Sequence, residues 1–542
     1  MEKGDVYMFS FTFHKKMKIY IKRILTILGI FVSTGLTAQY YESLNESYSF
    51  KLKHFIDSSN NHSSIKPYII PPTKSFYESY SNPKMLSSNK KLHQRIFHEN
   101  IIQINDNDYQ ILVDPLFHFE WGRDFSADLN TYVNTRGVQI KGRIGKNFTF
   151  YTSFYENQAR FPEYVTNEIN NTRVVPGQGK ARNFGNGGFD YARSSAYISY
   201  TPSKYFNFQF GTSKHFFGDG YRSLLLSDNS FNYPFLKITT SFWKLKYVNL
   251  FTQFQDLKSP YSSNLGYQKK YAAMHYLSWN VSKKLTIGLF EAIIFQDQDS
   301  TGKRGFEINY LNPIIFYRPV EFSVGSPDNA ILGLNLKYKI SASSFFYGQF
   351  ILDEFKINEV FGGNGWWANK FGYQLGLKFY NFLKVKNLYT QFEYNRVRPY
   401  TYAHWTSLQN YGHYNQPLAH PRGANFWEFI TLLRYNRDRL FFNYQFIYSK
   451  YGQNPLNENF GGNIFLSYRT RARDYGNEIG QGISTTLVYN NLEISYLINP
   501  SFNFNAYIGF TSRIETTPTN RNTTNFFYLG LRTSINNYYY DY

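Results

Sequence analysis

The chain has 542 residues, a formal net charge of +20 and no cysteine; Phe, Trp and Tyr make up 20% of it, yet its mean hydropathy is −0.46. The missing cysteines exclude disulfides, zinc–thiolate centres and cysteine nucleophiles. Beyond the N-terminus there is no run of about 20 apolar residues, which excludes a helical membrane protein and suits a β-barrel, whose lipid face uses only alternate residues and whose interfaces are aromatic.

Taken in chain order, the first element is an export signal. Lys15, Lys16, Lys18, Lys22 and Arg23 precede an apolar stretch from Ile24 to Val32, and small residues follow up to Thr37-Ala38. This predicts a signal peptide over 1–38, too short for a transmembrane helix, with Gln39 as the mature N-terminus. Met17 is an alternative start. No cysteine follows the apolar core, so no lipoprotein anchor is expected. Residues 1–38 carry six basic and two acidic residues, which leaves a mature charge of +16. In a cytosolic protein such a charge would suggest nucleic acid. In an exported one it suits lipopolysaccharide or acidic surface polysaccharide, and basic residues in loops and lumen account for it equally well. No nucleic-acid partner is expected.

Residues 39–108 read as a periplasmic N-terminal segment. Its 39–87 part is rich in Ser, Asn, Tyr and Lys without periodicity, which predicts extended or loosely ordered chain. A short helix is expected over 88–100, around Leu92, Ile96 and Phe97.

From Tyr109 to Tyr542 alternation takes over. Phe502, Phe504, Ala506, Ile508 and Phe510 share one face of a strand, while Asn503, Asn505, Tyr507, Gly509 and Thr511 share the other. Similar segments fall near 110–122, 135–144, 148–154, 191–202, 204–213, 234–243, 246–257, 269–281 and 284–297. They continue at 329–340, 344–355, 370–380, 386–397, 424–436, 439–450, 482–498, 502–513 and 523–536. Short connections such as Pro202-Ser203, Ser282-Lys283, Ser341-Ala342-Ser343, Arg437-Asp438 and Asn499-Pro500-Ser501 fall at every second junction, and long loops take the others. That asymmetry is the pattern of outer-membrane barrels. Asn490-Asn491 could split one segment, but parity favours one long strand. The expected fold is all-β, a transmembrane antiparallel barrel of about 18 strands, monomeric, in the bacterial outer membrane. No repeat of 40–50 residues supports a soluble propeller. The terminal Tyr538-Tyr539-Tyr540-Asp541-Tyr542 ends on an aromatic, as barrel-assembly signals commonly do.

Four loops carry the chemistry-bearing residues. In the first, Lys214, His215, Asp219, Tyr221 and Arg222 lie beside Leu224-Leu225-Leu226, which is too apolar for a free loop and points to a plug inside the barrel. Arg222 and Lys214 either bind an anionic sugar or pair internally with Asp219 and Asp228. In the second, His404, Trp405, Tyr411, His413, Tyr414, Gln416 and His420 combine aromatic faces with amides, a composition that suits carbohydrate. The three histidines lack metal-site spacing, and no metal or cofactor is expected. In the third, Trp366-Trp367 reads as a sugar platform or an interfacial anchor. The fourth spans Asn309 to Glu321. No G-x-S-x-G elbow occurs, so an enzyme is not expected.

The stretch Phe216-Phe217-Gly218-Asp219-Gly220-Tyr221-Arg222-Ser223-Leu224-Leu225-Leu226-Ser227-Asp228 resembles the Bacteroidetes outer-membrane family of the gliding motility protein RemB. So does Asn410-Tyr411-Gly412-His413-Tyr414-Asn415-Gln416-Pro417-Leu418-Ala419-His420-Pro421. More distantly both are similar to the capsule-assembly Wzi family, whose fold is an eighteen-stranded barrel. The resemblance covers roughly residues 88–542. It implies an outer-membrane protein tied to surface polysaccharide or gliding, with no catalytic set to carry over. The readings left open are a glycan-binding barrel supporting capsule attachment, adhesion or gliding, a porin for anionic or sugar solutes, and a structural partner of motility or secretion machinery.

Overall fold

The computed structural model describes residues 40–41, 44, 50–59, 61–70, 91–262, 266–299, 302–314, 320, 325, 328–534 and 537–542. The expected signal peptide lies outside these residues.

Eighteen strands close into one antiparallel ring. They are β1 (Tyr109–Asp124), β2 (Leu129–Ile144), β3 (Phe148–Arg160), β4 (Gly188–Tyr200), β5 (Phe206–Ser213) and β6 (Tyr233–Phe242). Next come β7 (Leu245–Ser262), β8 (Gly266–Asn280), β9 (Leu285–Gln296), β10 (Asn329–Lys339), β11 (Ser344–Glu354) and β12 (Lys370–Tyr380). The last are β13 (Leu388–Val397), β14 (Phe426–Arg437), β15 (Leu440–Gln453), β16 (Ile483–Asn499), β17 (Phe504–Thr516) and β18 (Arg521–Arg532). β18 closes on β1 from Phe526↔Asp124 to Arg532↔His118. Asn490 and Asn491 lie mid-strand in β16, paired with Phe446 and Gln445. Two short strands, Ile102–Asn105 and Arg182–Phe184, pair with β1 and β4, so chain just before Tyr109 also pairs with the wall.

The alternation has its physical cause in β17. Ile508 and Phe510 point outward and are 45% and 42% exposed, whereas Tyr507 and Thr511 are buried in the interior. Ile508 stands beside Ile494 and Leu529, and Phe510 beside Leu492 and Phe527, so one apolar belt runs from strand to strand. Lipid covers that belt, because the ring leaves no backbone edge unpaired. Phe502 departs from the pattern: it precedes the strand and is buried at the turn.

The turns at one end are tight, with Gly145, Trp243 and Asp438 at φ of 59°, 53° and 51°. At the other end lie the long segments 161–187, 214–232, 297–328, 355–369, 398–425 and 454–482. Among the described outer connections two, 125–128 and 517–520, are short where long loops were expected, and they lie side by side around the β18–β1 closure.

Four described α-helices flank or enter the ring: α1 (Phe50–Ser58), α2 (Lys91–Phe97), α3 (Glu163–Thr172) and, in an outer loop, α4 (Ile357–Gly362). α2 matches the expected short helix. α1 corrects the expectation of loose chain where it lies, at 50–58, while the 71–87 part of that expectation lies outside the described residues. Its Asp57 lies inside the barrel between Lys378 (3.2 Å) and Lys337 (3.6 Å) and accepts from the Tyr380 hydroxyl at 2.7 Å.

Candidate functional site

The loop after β5 turns into the lumen. Leu224, Leu225 and Leu226 are fully buried against Phe290, Ile331, Ile351 and Val397 of the inner wall, which here is apolar because it faces a packed core rather than water. Gln349 of β11 holds the loop from below: its Oε1 accepts from Leu224 N at 2.8 Å and its Nε2 donates to Phe217 O at 3.0 Å. Gly218 has φ +150°, and a Cβ there would collide with Gln349 Nε2, so glycine is required for this approach. Phe216-Phe217 pairs with Ile65-Lys66 of the N-terminal segment, and Asp219 accepts from Ser63 Oγ at 2.5 Å and Asn335 Nδ2 at 3.1 Å.

The loop 398–425 completes the plug from the other side. The Tyr402 and Tyr411 hydroxyls donate to the carbonyls of Leu224 (2.7 Å) and Leu225 (2.6 Å), and Ser227 N donates to Leu418 O at 2.8 Å. A third strand of chain is the C-terminal tail. Tyr539 Oη donates to Asp228 at 2.8 Å, and Asp541 takes Arg222 Nη2 at 2.9 Å and the Tyr221 hydroxyl at 2.7 Å. The terminal tyrosines thus run up through the lumen instead of ending the last strand, where an assembly signal would place them. Tyr540 packs on Phe161 beside Val165 and Ile169, the buried face of α3.

Charge inside the plug is matched rather than free. Arg222 is 2% exposed and reaches Asp541 and, at 3.4 Å, Glu428. Burial opposes its charge, but Asp541 and Glu428 hold the guanidinium above the usual arginine range. His420 Nε2 meets the same Glu428 at 2.5 Å; burial lowers its pKa although Glu428 pushes the other way. Lys214 donates to the carbonyls of Gly177 (2.7 Å) and Asp228 (2.8 Å), and burial, with Arg193 nearby, pulls its ammonium well below the ordinary lysine value.

Ten of the fourteen candidate residues are therefore interior: Lys214, His215, Asp219, Tyr221, Arg222, His404, Tyr411, His413, Gln416 and His420 are all buried. Lys214 and Arg222 make internal contacts, but not with the carboxylates of Asp219 and Asp228: Lys214 meets the Asp228 carbonyl, and Arg222 meets Asp541 and Glu428. His413 accepts from Gln255 N at 3.0 Å, and Gln416 bonds Gly177 N and Gln178 O at 2.7 and 3.0 Å. The histidines do not converge: among the described residues no three His, Cys, Asp or Glu are placed to hold a metal.

The other four, Trp366, Trp367, Trp405 and Tyr414, are half-buried. The three tryptophans form a crown at the outer mouth with residues the sequence reading passed over. Trp366 lies 4.9 Å from Tyr475 and Trp367 4.9 Å from Tyr468, centroid to centroid. Arg471 stacks 4.3 Å over Trp367 and Arg469 4.7 Å over Trp405. The available signal was the alternating Arg469-Thr470-Arg471-Ala472-Arg473, which puts three guanidinium groups on one short stretch of loop. The crown thus presents aromatic faces and stacked cations together, the equipment for sugar rings and for anionic groups.

Ring closure, the outward apolar belt and the one-sided long loops define the class: this is an outer-membrane β-barrel of eighteen strands, its lumen occupied by its own chain. Its solved structural neighbours include Wzi of Escherichia coli, described as a carbohydrate-binding β-barrel involved in group 1 capsule assembly, at 12% identity and TM-score 0.51, covering 93% of this chain and all of that one. Pseudomonas aeruginosa OprD (11%, TM-score 0.43, 78% of this chain and 96% of that one) and Acinetobacter baumannii OccAB2 (9%, 0.42, 78% and 97%) also align. No protein-family model and no curated protein sequence matches the chain.

Proposed function

We propose that this barrel binds cell-surface polysaccharide at its outer mouth and serves capsule attachment, adhesion or gliding without catalysing a reaction. The observation that carries this reading is the pairing of an occupied lumen with an outward aromatic and basic crown. A transport barrel needs a wet, continuous path, whereas here Leu224–Leu226 and their partners on β6 to β14 form an apolar core on that side of the lumen, and the 537–541 tail borders a polar cavity of about 300 Å³ on the side of β1 and β15 to β18. Trp366, Trp367 and Trp405, backed by Arg469 and Arg471, offer stacking faces with a positive rim. The Wzi barrel, which shares the fold, is described as carbohydrate-binding, and the resemblance of the plug motif to the RemB family favours a surface role of the same kind. The test is a deletion strain of the producing bacterium scored for surface-glycan retention, gliding and solute uptake. Loss of glycan retention or gliding with unchanged uptake is expected. Unchanged glycan and motility with lost uptake would overturn the reading in favour of a porin.

A further inference from the structure

Arg422, in the plug loop 398–425, also borders a cleft at the outer rim that is separate from the crown. A cavity of about 650 Å³ opens at the outer rim between α3 and the upper ends of β15, β17 and β18. The short connection 517–520 keeps the rim low on this side, and the bordering Asn167, Arg521, Asn522 and Thr523 are exposed. Three arginines (Arg422, Arg513, Arg521) and three glutamates (Glu163, Glu168, Glu515) line it.

Arg513 is already engaged. It pairs with Glu515 at 3.2 Å and its Nε donates to Tyr542 O at 3.1 Å, while the Tyr451 hydroxyl also donates to Glu515. Arg422 differs. Its guanidinium carbon lies over the Tyr451 ring at 4.0 Å from the centroid, and its Nε and Nη2 are buried with no hydrogen-bond partner among the described residues. Buried donors left unpaired are costly, and a guanidinium carries its N–H groups in the planar fork that a carboxylate matches. Glu168 does not fill the role: burial pushes its carboxyl up, toward the neutral form, against the pull of Arg422 and Arg513.

We propose that this cleft is a subsite for a uronic-acid unit of an acidic glycan, with Arg422 taking the carboxylate and Asn167, Asn454, Asn463 and Asn522 taking ring hydroxyls. The proposal rests on the polysaccharide reading above and names its substrate class. A carboxylate fits better than a phosphate, because Glu163, Glu168 and Glu515 share the cleft with the arginines and repel a doubly charged anion more strongly than a singly charged one. Calorimetry on the purified full chain tests it with trigalacturonate, its methyl ester and inorganic phosphate, and with surface polysaccharide from the producing cell in parallel. The acid form should bind at least about tenfold tighter than the ester, a difference of ~1.4 kcal/mol. Arg422→Gln should erase that preference at unchanged thermal stability, and Arg422→Lys, which keeps the charge but loses the fork, should restore little of it. Phosphate should compete poorly. A preference surviving in Arg422→Gln, or phosphate displacing the uronate efficiently, would overturn the subsite. Native polysaccharide bound without preference for the acid trimer would overturn the subsite alone; no binding of any glycan would overturn both readings.

Discussion

Arg222 joins two segments 319 positions apart in the chain, the plug loop and the C-terminal tail, through Asp541. Both carboxylates it meets are themselves buried. Its value to the plug is therefore asymmetric: replacing the whole cluster by apolar groups could be neutral, but removing the cation alone strands Asp541 and Glu428. Arg222→Gln should cost the docked plug roughly 3–5 kcal/mol, seen as faster amide exchange over 214–232 and 537–542 while the strands stay protected. Unchanged exchange would show that the pair is incidental. Sequence reasoning found Arg222 and weighed its internal pairing, but with Asp219 and Asp228 as partners. Asp541 could not be foreseen, because nothing local records which distant carboxylate a lumen arginine will meet.

At the scale of elements, the strands were legible and the fillings of the barrel were not. Strands announce themselves because lipid on one face and a polar lumen on the other impose a period of two on every segment, and Ile508 and Phe510 carry that period as openly as any. α3 is short and sits in a Gly- and Asn-rich loop; only Glu163 in its first turn and the Val165–Ile169 spacing hinted at it. α1 was hidden because Asp57 and its two lysine partners have meaning only once the ring has closed. The plug loops carry a pH dependence of definite sign. Burial, with nearby lysines, holds His62 and His404 at about 3, and burial holds His413 at about 3 as well. In undocked chain each would titrate near 6.5. The undocked form therefore binds more protons at these histidines between these values, so their contribution to docking is full above about pH 6.5 and is lost as pH falls toward 3. Limited proteolysis of the 398–425 loop should accelerate over that window, and His404→Gln with His413→Gln should flatten the slope. Equal slopes in the variant and the parent would contradict the assignment.

For the whole molecule, the ring and its contents have separate jobs. The wall meets lipid as a ring whose every strand is paired on both sides. The plug segments pack on the inner wall and on one another, Tyr402 and Tyr411 bonding the carbonyls of Leu224 and Leu225. Purified protein in planar bilayers should show no steady open-channel steps at neutral pH, and sustained conductance would place it with the transport barrels. The number of strands and the sidedness of the loops could be read from turns and parity, whereas the crown could not be assembled from sequence, because Trp367 and Arg471 come from loops over a hundred residues apart. The central claim is that this crown holds polysaccharide. It is tested most directly by titrating the purified barrel with polysaccharide from the producing cell and following binding by tryptophan fluorescence. The account predicts saturable binding that a Trp366→Ala, Trp405→Ala double variant weakens at least about tenfold, ~1.4 kcal/mol, at unchanged thermal stability. Equal binding by the double variant, or none by the parent, would contradict it.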